Sequence, residues 1–154
     1  MELFKDFYLK IKPEPEFFTE DNPFKMPQRA NQGDAGIDVF SPGEYMIYPG
    51  RDVKIPLGFR VEFPRGFVML FRNKSGRATN DKLMVGAEVV DSEYRGIVHA
   101  HIFNFQPKGF TINAGEKVCQ FLILPCWEGQ PEQVEEINME TDRGTGGFGS
   151  SGLQ

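Results

Sequence analysis

Apolar residues occur in short runs along this chain, and most runs alternate with polar residues at every second position. A period of two predicts strands that bury one face, because successive strand side chains point to opposite sides. Turn residues such as Pro64-Arg65-Gly66 separate the runs. The predicted strands are Phe7–Ile11, Ile37–Phe40, Tyr45–Tyr48, Val53–Ile55, Phe59–Phe63, Phe67–Phe71, Leu83–Val90, Ile97–Phe105 and Val118–Leu124.

Short strands that recur with turns between them predict an all-β fold of the sandwich, jelly-roll or barrel type. We predict one short helix, near Arg77–Lys82. The composition agrees with this pattern, since 17 glycines, 11 prolines and 13% aromatic residues suit strands and tight turns. A chain of 154 residues is long enough for a single domain with its own core.

Two stretches fall outside the strand pattern. Residues 13–25 are proline-bearing and acidic, and we expect a surface excursion there from a main domain of residues 1–127. Residues 128–154 form a C-terminal arm, which is acidic at first and glycine-rich from Arg143 to Gly152. Composition alone is typical of a flexible linker and tail.

The glycine-rich part of the arm also carries groups that a plain linker lacks. Glycines expose backbone N–H groups, Ser and Thr add hydroxyl donors, and Arg143 supplies a forked cation. These groups suit an oxyanion or phosphate. Phe148 offers a flat face on which a base can stack. The arm is not a P-loop, because GxxxxGK[ST] does not follow a strand.

The overall charge narrows the classes of partner. A formal net charge of −5 opposes binding to a nucleic-acid polymer but leaves room for a small phosphorylated ligand. The chain has neither a membrane-length apolar stretch nor a signal-peptide-like start. We therefore expect a cytoplasmic protein, or a nuclear one if the source is eukaryotic, with Cys119 and Cys126 reduced.

Several polar groups elsewhere are candidates for chemistry. The turn Lys74–Arg77 is rich in donors and is either a solvated basic turn or a second phosphate clamp. Asp91 and Asp38 each follow apolar residues and are either turn-starting residues or a general base. His99 and His101 share one strand face, where packing or interface roles are favoured over a metal site.

Five separated motifs occur in the order found in dUTP diphosphatases, and the chain resembles that family from about Met26 to Gly152. Four of the motifs lie in the predicted strand region and the fifth in the arm. They are Met26–Ala30 with Asp34–Val39, Lys74–Ala78, Gly86–Gly96, Gly115–Phe121 and Arg143–Gly152.

This resemblance implies a distorted β-barrel, or jelly-roll-like fold, assembled as a homotrimer. The active sites would lie between subunits, and the flexible arm of one chain would close a site built by others. The implied activity is Mg²⁺-dependent hydrolysis of dUTP to dUMP and pyrophosphate by in-line attack of water on the α-phosphorus. It would lower dUTP and supply dUMP for thymidylate synthesis.

The resemblance also assigns roles to residues. Asp91 would deprotonate the attacking water, Tyr94 would press on the deoxyribose, and Mg²⁺ would be chelated mainly by the phosphates, with Asp38 reaching it through water. Arg143 would be the second catalytic residue, gripping the γ-phosphate. The remaining contacts fall into three groups: Lys74, Ser75, Gly76 and Gln120 for the inner phosphates, the backbone of Gly86, Ala87, Val89 and Val90 for uracil, and Gly149, Ser150 and Ser151 for the γ-phosphate, with Phe148 stacking on the base.

Two positions depart from the family pattern. Lys74 replaces the usual Arg of the second motif and so lacks the bidentate fork, for which Arg72 or Arg77 would have to compensate. Glu88 replaces the usual Gly in what we predict to be the uracil-reading hairpin, where it would either reshape the pocket or point outward.

Three other functions are compatible with parts of the pattern. A dCTP deaminase-like enzyme shares fold and motifs, although it would have a catalytic Glu on the strand where this chain has Ile97–His101. A dUTPase-like trimer used mainly to bind a regulator protein would suit the excursion at 13–25. A capsid-type jelly roll would have no need for the arm.

Overall fold

A computed structural model describes residues 2–146 of the chain. Within that range the chain forms eleven strands, one short α-helix and two 3-10 turns, at Glu2–Phe4 and Pro15–Phe17. The strands are β1 Lys10–Pro13, β2 Ile37–Phe40, β3 Tyr45–Ile47, β4 Asp52–Pro56, β5 Phe59–Glu62, β6 Phe67–Arg72, β7 Leu83–Gly86, β8 Val89–Asp91, β9 His99–Asn104, β10 Phe110–Ile112 and β11 Lys117–Pro125. The helix α1 is Ser75–Thr79.

The strands form two sheets and two ribbons, and the pairs are antiparallel. One sheet has the order β2-β11-β6-β8 and the other β4-β9-β7, while β1-β5 and β10-β3 form the ribbons. This arrangement confirms the predicted all-β, barrel-like or jelly-roll-like class. No helix among residues 2–146 is long and apolar enough to cross a membrane.

The core lies between the sheets, and the period of two in the sequence accounts for it. On β6 the side chains of Phe67, Met69 and Phe71 are buried, while the alternate positions are more exposed. On β5 the buried pair is Phe59 and Val61. Edge-to-face ring packing such as that of Phe71 on Phe121, with centroids 5.9 Å apart, adds to the burial of apolar area.

Two predicted elements are displaced. The first strand begins at Lys10 rather than Phe7, because its partner β5 offers backbone partners only from Glu62, which pairs with Lys10, to Phe59. The helix was expected near 77–82 but covers Ser75–Thr79. Lys82 has φ of +51°, a left-handed conformation that an α-helix excludes.

The prediction of one continuous strand or hairpin at 83–90 is wrong. Strand β7 pairs with β9 in one sheet, and β8 pairs with β6 in the other. The chain crosses between the sheets at Ala87 and Glu88, and Ala87 has φ of +45°. Strand β10 was not predicted, and its three residues pair with β3.

The predicted excursion at 13–25 is attached to the body of the domain. Glu14 is buried and forms ion pairs with Arg60 at 2.6 Å and Lys12 at 3.1 Å. Phe24 packs against Phe18 and Phe59, with ring centroids 5.2 and 6.3 Å apart. These contacts hold the excursion along the domain surface.

Candidate active site

The crossing from β7 to β8 builds one wall of a small pocket of about 150 Å³. Its lining residues come from the crossing, from β8, from the turn after β8 and from β9: Ala87, Val89, Val90, Asp91, Tyr94 and His99. A side chain at Gly86 would place its Cβ 2.6 Å from a ring carbon of Phe103 and 2.9 Å from Nδ1 of His101. A residue larger than glycine here would force the Phe103 and His101 side chains of β9 to shift.

Asp91 ends β8 and is exposed to solvent. Together with Val89 and Tyr94 it also lines a second, larger cavity of about 540 Å³, which Arg65 and Glu128 line as well. The carboxylate therefore stands where the two cavities meet. A small pocket that shares Val89, Asp91 and Tyr94 with a larger cavity, which charged residues also line, suits a ligand with a flat ring and a charged extension.

Hydrogen bonds fix the turn that follows Asp91. The Tyr94 backbone N–H donates to the Asp91 carbonyl at 3.1 Å, and the Tyr94 hydroxyl donates to the Ile97 carbonyl at 2.8 Å. Arg95 donates from Nη1 to the Ser92 and Tyr94 carbonyls at 2.7 and 3.0 Å. The phenol ring of Tyr94 thus has a defined position beside Asp91.

Arg60 of β5 supports the same turn from outside, since its Nη1 donates to the Arg95 carbonyl at 2.6 Å. Glu14 holds the other side of this guanidinium, by accepting from Nε. These two positioning residues were not predicted. They are distant from Asp91 in sequence, and only the strand pairing brings them near.

A cluster of opposite charges lies at the ends of β2, β6 and β11. The side chain of Asp38 is only 3% exposed and contacts Nζ of Lys74 through Oδ1 and Nζ of Lys117 through Oδ2, the latter at 2.7 Å. The Lys117 contact has poor hydrogen-bond direction, so it acts mainly through charge. Burial by itself would raise the pKa of Asp38, but the two lysines outweigh burial and hold the pKa below its ordinary value.

Gln120 connects this charge cluster to the second motif. It pairs with Asp38 on one side and Arg72 on the other, and its Nε2 donates to the Asn73 carbonyl at 2.9 Å. A Cβ on Gly36 would come within 1.9 Å of the Gln120 amide oxygen, so Gly36 is needed for this placement. Ser75 is exposed at the start of α1.

The two arginines near Lys74, Arg72 and Arg77, both form ion pairs with acidic side chains. Arg77 contacts Asp81 at 3.0 Å and Glu116 at 2.8 Å, and its Nε donates to the Lys117 carbonyl. Arg72 forms an ion pair with Glu88. The Glu88 side chain is therefore turned toward β6, and it does not line the 150 Å³ pocket. Its backbone does not have the positive φ that favours glycine.

The remaining candidates lie apart from these groups or outside the described range. Arg143 is exposed and donates from Nε to the Gly146 carbonyl at 2.9 Å. The predicted contacts at Phe148, Gly149, Ser150 and Ser151 lie beyond residues 2–146. His99 lines the small pocket, where burial lowers its pKa. His101 Nε2 lies 2.8 Å from Asp52.

The structure thus brings Asp91, Tyr94 and the crossing backbone to one pocket, and Asp38, Lys74 and Gln120 to a neighbouring cluster. Among residues 2–146, no three His, Cys, Asp or Glu side chains are grouped as metal ligands. The fold and site define an all-β protein with a pocket at the junction of two sheets and a basic cluster beside it.

Comparison with known proteins assigns the family. The dUTPase family model matches residues 22–152, and the chain belongs to this family. The deoxyuridine 5'-triphosphate nucleotidohydrolase of avian adenovirus 8 is 36% identical over 136 residues, which are 88% of this chain and 83% of that protein. The enzyme of the same name from Desulfitobacterium hafniense is 35% identical over 148 residues, covering 93% and 97% of the two chains.

Solved structures agree with this assignment. The dUTPase of Staphylococcus bacteriophage 80alpha with dUPNHPP has a TM-score of 0.84 and 26% identity, over 95% of this chain and 99% of that chain. A mutant dUTPase of phage phi11 of S. aureus, described with a structural Mg(II) ion, has a TM-score of 0.74 and 25% identity, over 84% and 98%. The relatives favour the diphosphatase over the deaminase-like and capsid-like alternatives.

Proposed function

We propose that this chain hydrolyses dUTP to dUMP and pyrophosphate. Membership of the dUTPase family supports this activity. The observation that carries the proposal is the position of Asp91, an exposed carboxylate at the junction of a small pocket and a larger one. A nucleotide with its base in the small pocket would extend its phosphates past this carboxylate.

In the proposed reaction a water molecule held by Asp91 attacks the α-phosphorus. The water oxygen forms a bond to phosphorus, the bond from the α-phosphorus to the oxygen bridging to the β-phosphorus breaks, and pyrophosphate leaves with that oxygen. Asp91 accepts the proton that the water loses. Its exposure and the absence of an ion-pair partner in the described part of the chain fit a general base.

Base and sugar recognition would take place in the 150 Å³ pocket. The backbone of Gly86, Ala87, Val89 and Val90 would match the hydrogen-bonding edge of uracil there. Tyr94 would pack on the deoxyribose, and a 2′-hydroxyl would meet its fixed ring. Exclusion of cytosine follows from donor–acceptor mismatch, because buried polar groups left unpaired are costly.

The phosphates would lie toward the cluster of Lys74, Gln120 and Ser75. An ammonium group has three donors, and Asp38 takes one of those of Lys74, so the others are available to a phosphate oxygen. Arg143 and the arm residues Phe148, Gly149, Ser150 and Ser151 would hold the outer phosphates and the base.

Magnesium fits this site as an ion held mainly by the triphosphate. The described residues offer no cage of carboxylates, and Mg²⁺ commonly keeps waters and binds substrate phosphates with one or two protein carboxylates. Asp38, whose lowered pKa keeps it ionised, is the carboxylate within the cluster that could contact its hydration shell. The ion would supply charge stabilisation for the leaving pyrophosphate.

We further propose a homotrimer in which the arm of one chain completes the site of another. Residues 127–139, which include the end of the main domain and the first part of the arm, support a partner surface, since several large apolar side chains there are exposed in the single chain. They are Trp127, Val134, Ile137 and Met139, which are 52% to 74% exposed. Large apolar side chains that are exposed within one short stretch suit burial against a neighbouring subunit.

The decisive experiment measures pyrophosphate release from dUTP, dCTP, dTTP and UTP in parallel with Mg²⁺, and ammonia release from dCTP. We expect pyrophosphate from dUTP far above the other nucleotides. Asp91→Asn should lose this activity, whereas Asp21→Asn, the same change at an exposed position in the excursion, should keep it. Ammonia from dCTP, or no preference for dUTP, would contradict the proposal.

A further inference from the structure

The separation of β7 and β8 cannot be set by a ladder between them, because the two strands belong to different sheets. Strand β7 takes its backbone partners from β9, and β8 takes its partners from β6. Ala87 of the crossing and Val89 and Val90 of β8 line one wall of the small pocket. Contacts other than a ladder must therefore help to fix the distance between the end of β7 and the start of β8.

The end of β6 makes three contacts that meet this need. The side-chain oxygen of Asn73 accepts a hydrogen bond from the Val85 backbone N–H at 2.7 Å. The Phe71 backbone N–H donates to the Glu88 carbonyl at 2.8 Å. The Glu88 carboxylate forms an ion pair with Arg72. Residues 71–73 thus contact both Val85 near the end of β7 and Glu88 just before β8.

The same segment leads directly into the basic cluster. The Asn73 carbonyl accepts from Gln120, and the next residue, Lys74, contacts Asp38. A shift of residues 71–73 would therefore disturb the wall of the small pocket and the basic cluster of the same chain together.

We propose that Asn73 and the Arg72–Glu88 ion pair are positioning residues for base selection. They set the separation of the Gly86 and Val90 backbones, and with it the match between backbone groups and the edge of uracil. This inference rests on the base pocket proposed above. Glu88 acts through Arg72 and through its own backbone, since its side chain is outside the pocket lining.

If Asn73 and the Arg72–Glu88 ion pair only stabilised the fold, their loss would lower the melting temperature and leave base selection unchanged. The Glu88 and Arg72 side chains are 34% and 45% exposed, and an ion pair at this exposure contributes little to stability. Loss of the pair should therefore change the melting temperature very little. A displaced pocket wall, by contrast, changes how well the enzyme distinguishes two bases that differ only in donors and acceptors.

The test compares kcat and KM for dUTP and dCTP in Asn73→Ala, Asn73→Asp and Glu88→Ala. Asn73→Asp keeps an oxygen that can accept from Val85. Any effect of its added charge on the triphosphate cancels in the ratio of kcat/KM values, because both nucleotides carry the same phosphates. Glu62→Ala, which removes an exposed ion pair with Lys10 and lines neither of the two cavities beside Asp91, is the matched control for Glu88→Ala.

For Asn73→Ala we expect the KM for dUTP to rise about two- to tenfold, the scale of one net hydrogen bond. Its kcat should change little, because the base is remote from the reacting phosphorus. The dUTP/dCTP ratio of kcat/KM should fall in Asn73→Ala and Glu88→Ala and be restored in Asn73→Asp, with Glu62→Ala unchanged.

An unchanged ratio in Asn73→Ala and Glu88→Ala would overturn the inference, with or without a lower melting temperature. Failure of the proposed function would look different, because the wild-type protein itself would then show no preference for dUTP in the same assay.

Discussion

The ion cluster of Asp38, Lys74 and Lys117 is the part of the site whose contribution to stability is most open to measurement. Asp38→Asn keeps the size of the side chain and removes its charge. The side chain of Asp38 is 3% exposed, while those of Lys74 and Lys117 are 27% and 42% exposed. The substitution therefore leaves two cations without a counter-ion in a partly buried place.

The magnitude follows from this uneven exposure. A hydrogen bond to a charged group contributes about 1.5–3 kcal/mol, and asparagine still offers an oxygen to Lys74. Lys117 can regain hydration, so its contact with Asp38 adds at most about 1 kcal/mol. We expect Asp38→Asn to lower the free energy of unfolding by about 1–3 kcal/mol at pH 7, well below the cost for a fully buried pair.

The pH dependence gives this prediction a second test. Because the pKa of Asp38 is lowered in the folded protein, its stabilisation is present above the unfolded pKa of ~3.9 and is lost as pH falls through the folded pKa. The difference between wild type and Asp38→Asn should therefore be full near pH 7 and shrink below about pH 4.

Urea unfolding at a fixed chain concentration measures that difference, since the stability of the proposed trimer would depend on concentration. Asp21→Asn, at an exposed position, is the matched control and should follow the wild type. An Asp38→Asn protein that is as stable as the wild type at pH 7, or equally destabilised at all pH values, would refute this account of the cluster.

The other predictions concern the reaction. Asp91→Asn should lower kcat by on the order of 10²–10⁴-fold with little change in dUTP binding, and an unchanged kcat would remove it from the role of general base. Tyr94→Ala should allow the enzyme to hydrolyse UTP, which is measured as pyrophosphate release. Continued rejection of UTP would mean that other residues select the sugar. Truncation before Arg143 should leave the assembly intact by size-exclusion chromatography but abolish efficient turnover, and full activity of the truncated chain would contradict a role for the arm.

Local pattern predicted the fold class because the strands bury alternate residues. The alternation at Phe59–Phe63 and Phe67–Phe71 predicts two strands with one buried face each, and both are confirmed. Strand ends were less predictable. They depend on where the partner strand ends, as for Lys10 opposite Glu62.

The candidate site likewise has residues that local motifs identified and residues that only the structure revealed. Asp91, Tyr94, Lys74 and Gln120 were identifiable from motifs in the sequence. The supporting residues Asn73, Arg60 and Glu14 were not, since their role comes from contacts with residues many positions away. The Glu88 side chain illustrates the difference, because its direction depends on Arg72 of another strand.

By itself the sequence determined the all-β class, the family motifs and the candidate residues for phosphate chemistry, because periodicity and residue type are local properties. Only the tertiary structure decided that residues 83–91 cross between two sheets and that Asp38 lies between two lysines. Strand pairing and burial are properties of distant segments brought together, and neither is specified by any one stretch of the chain.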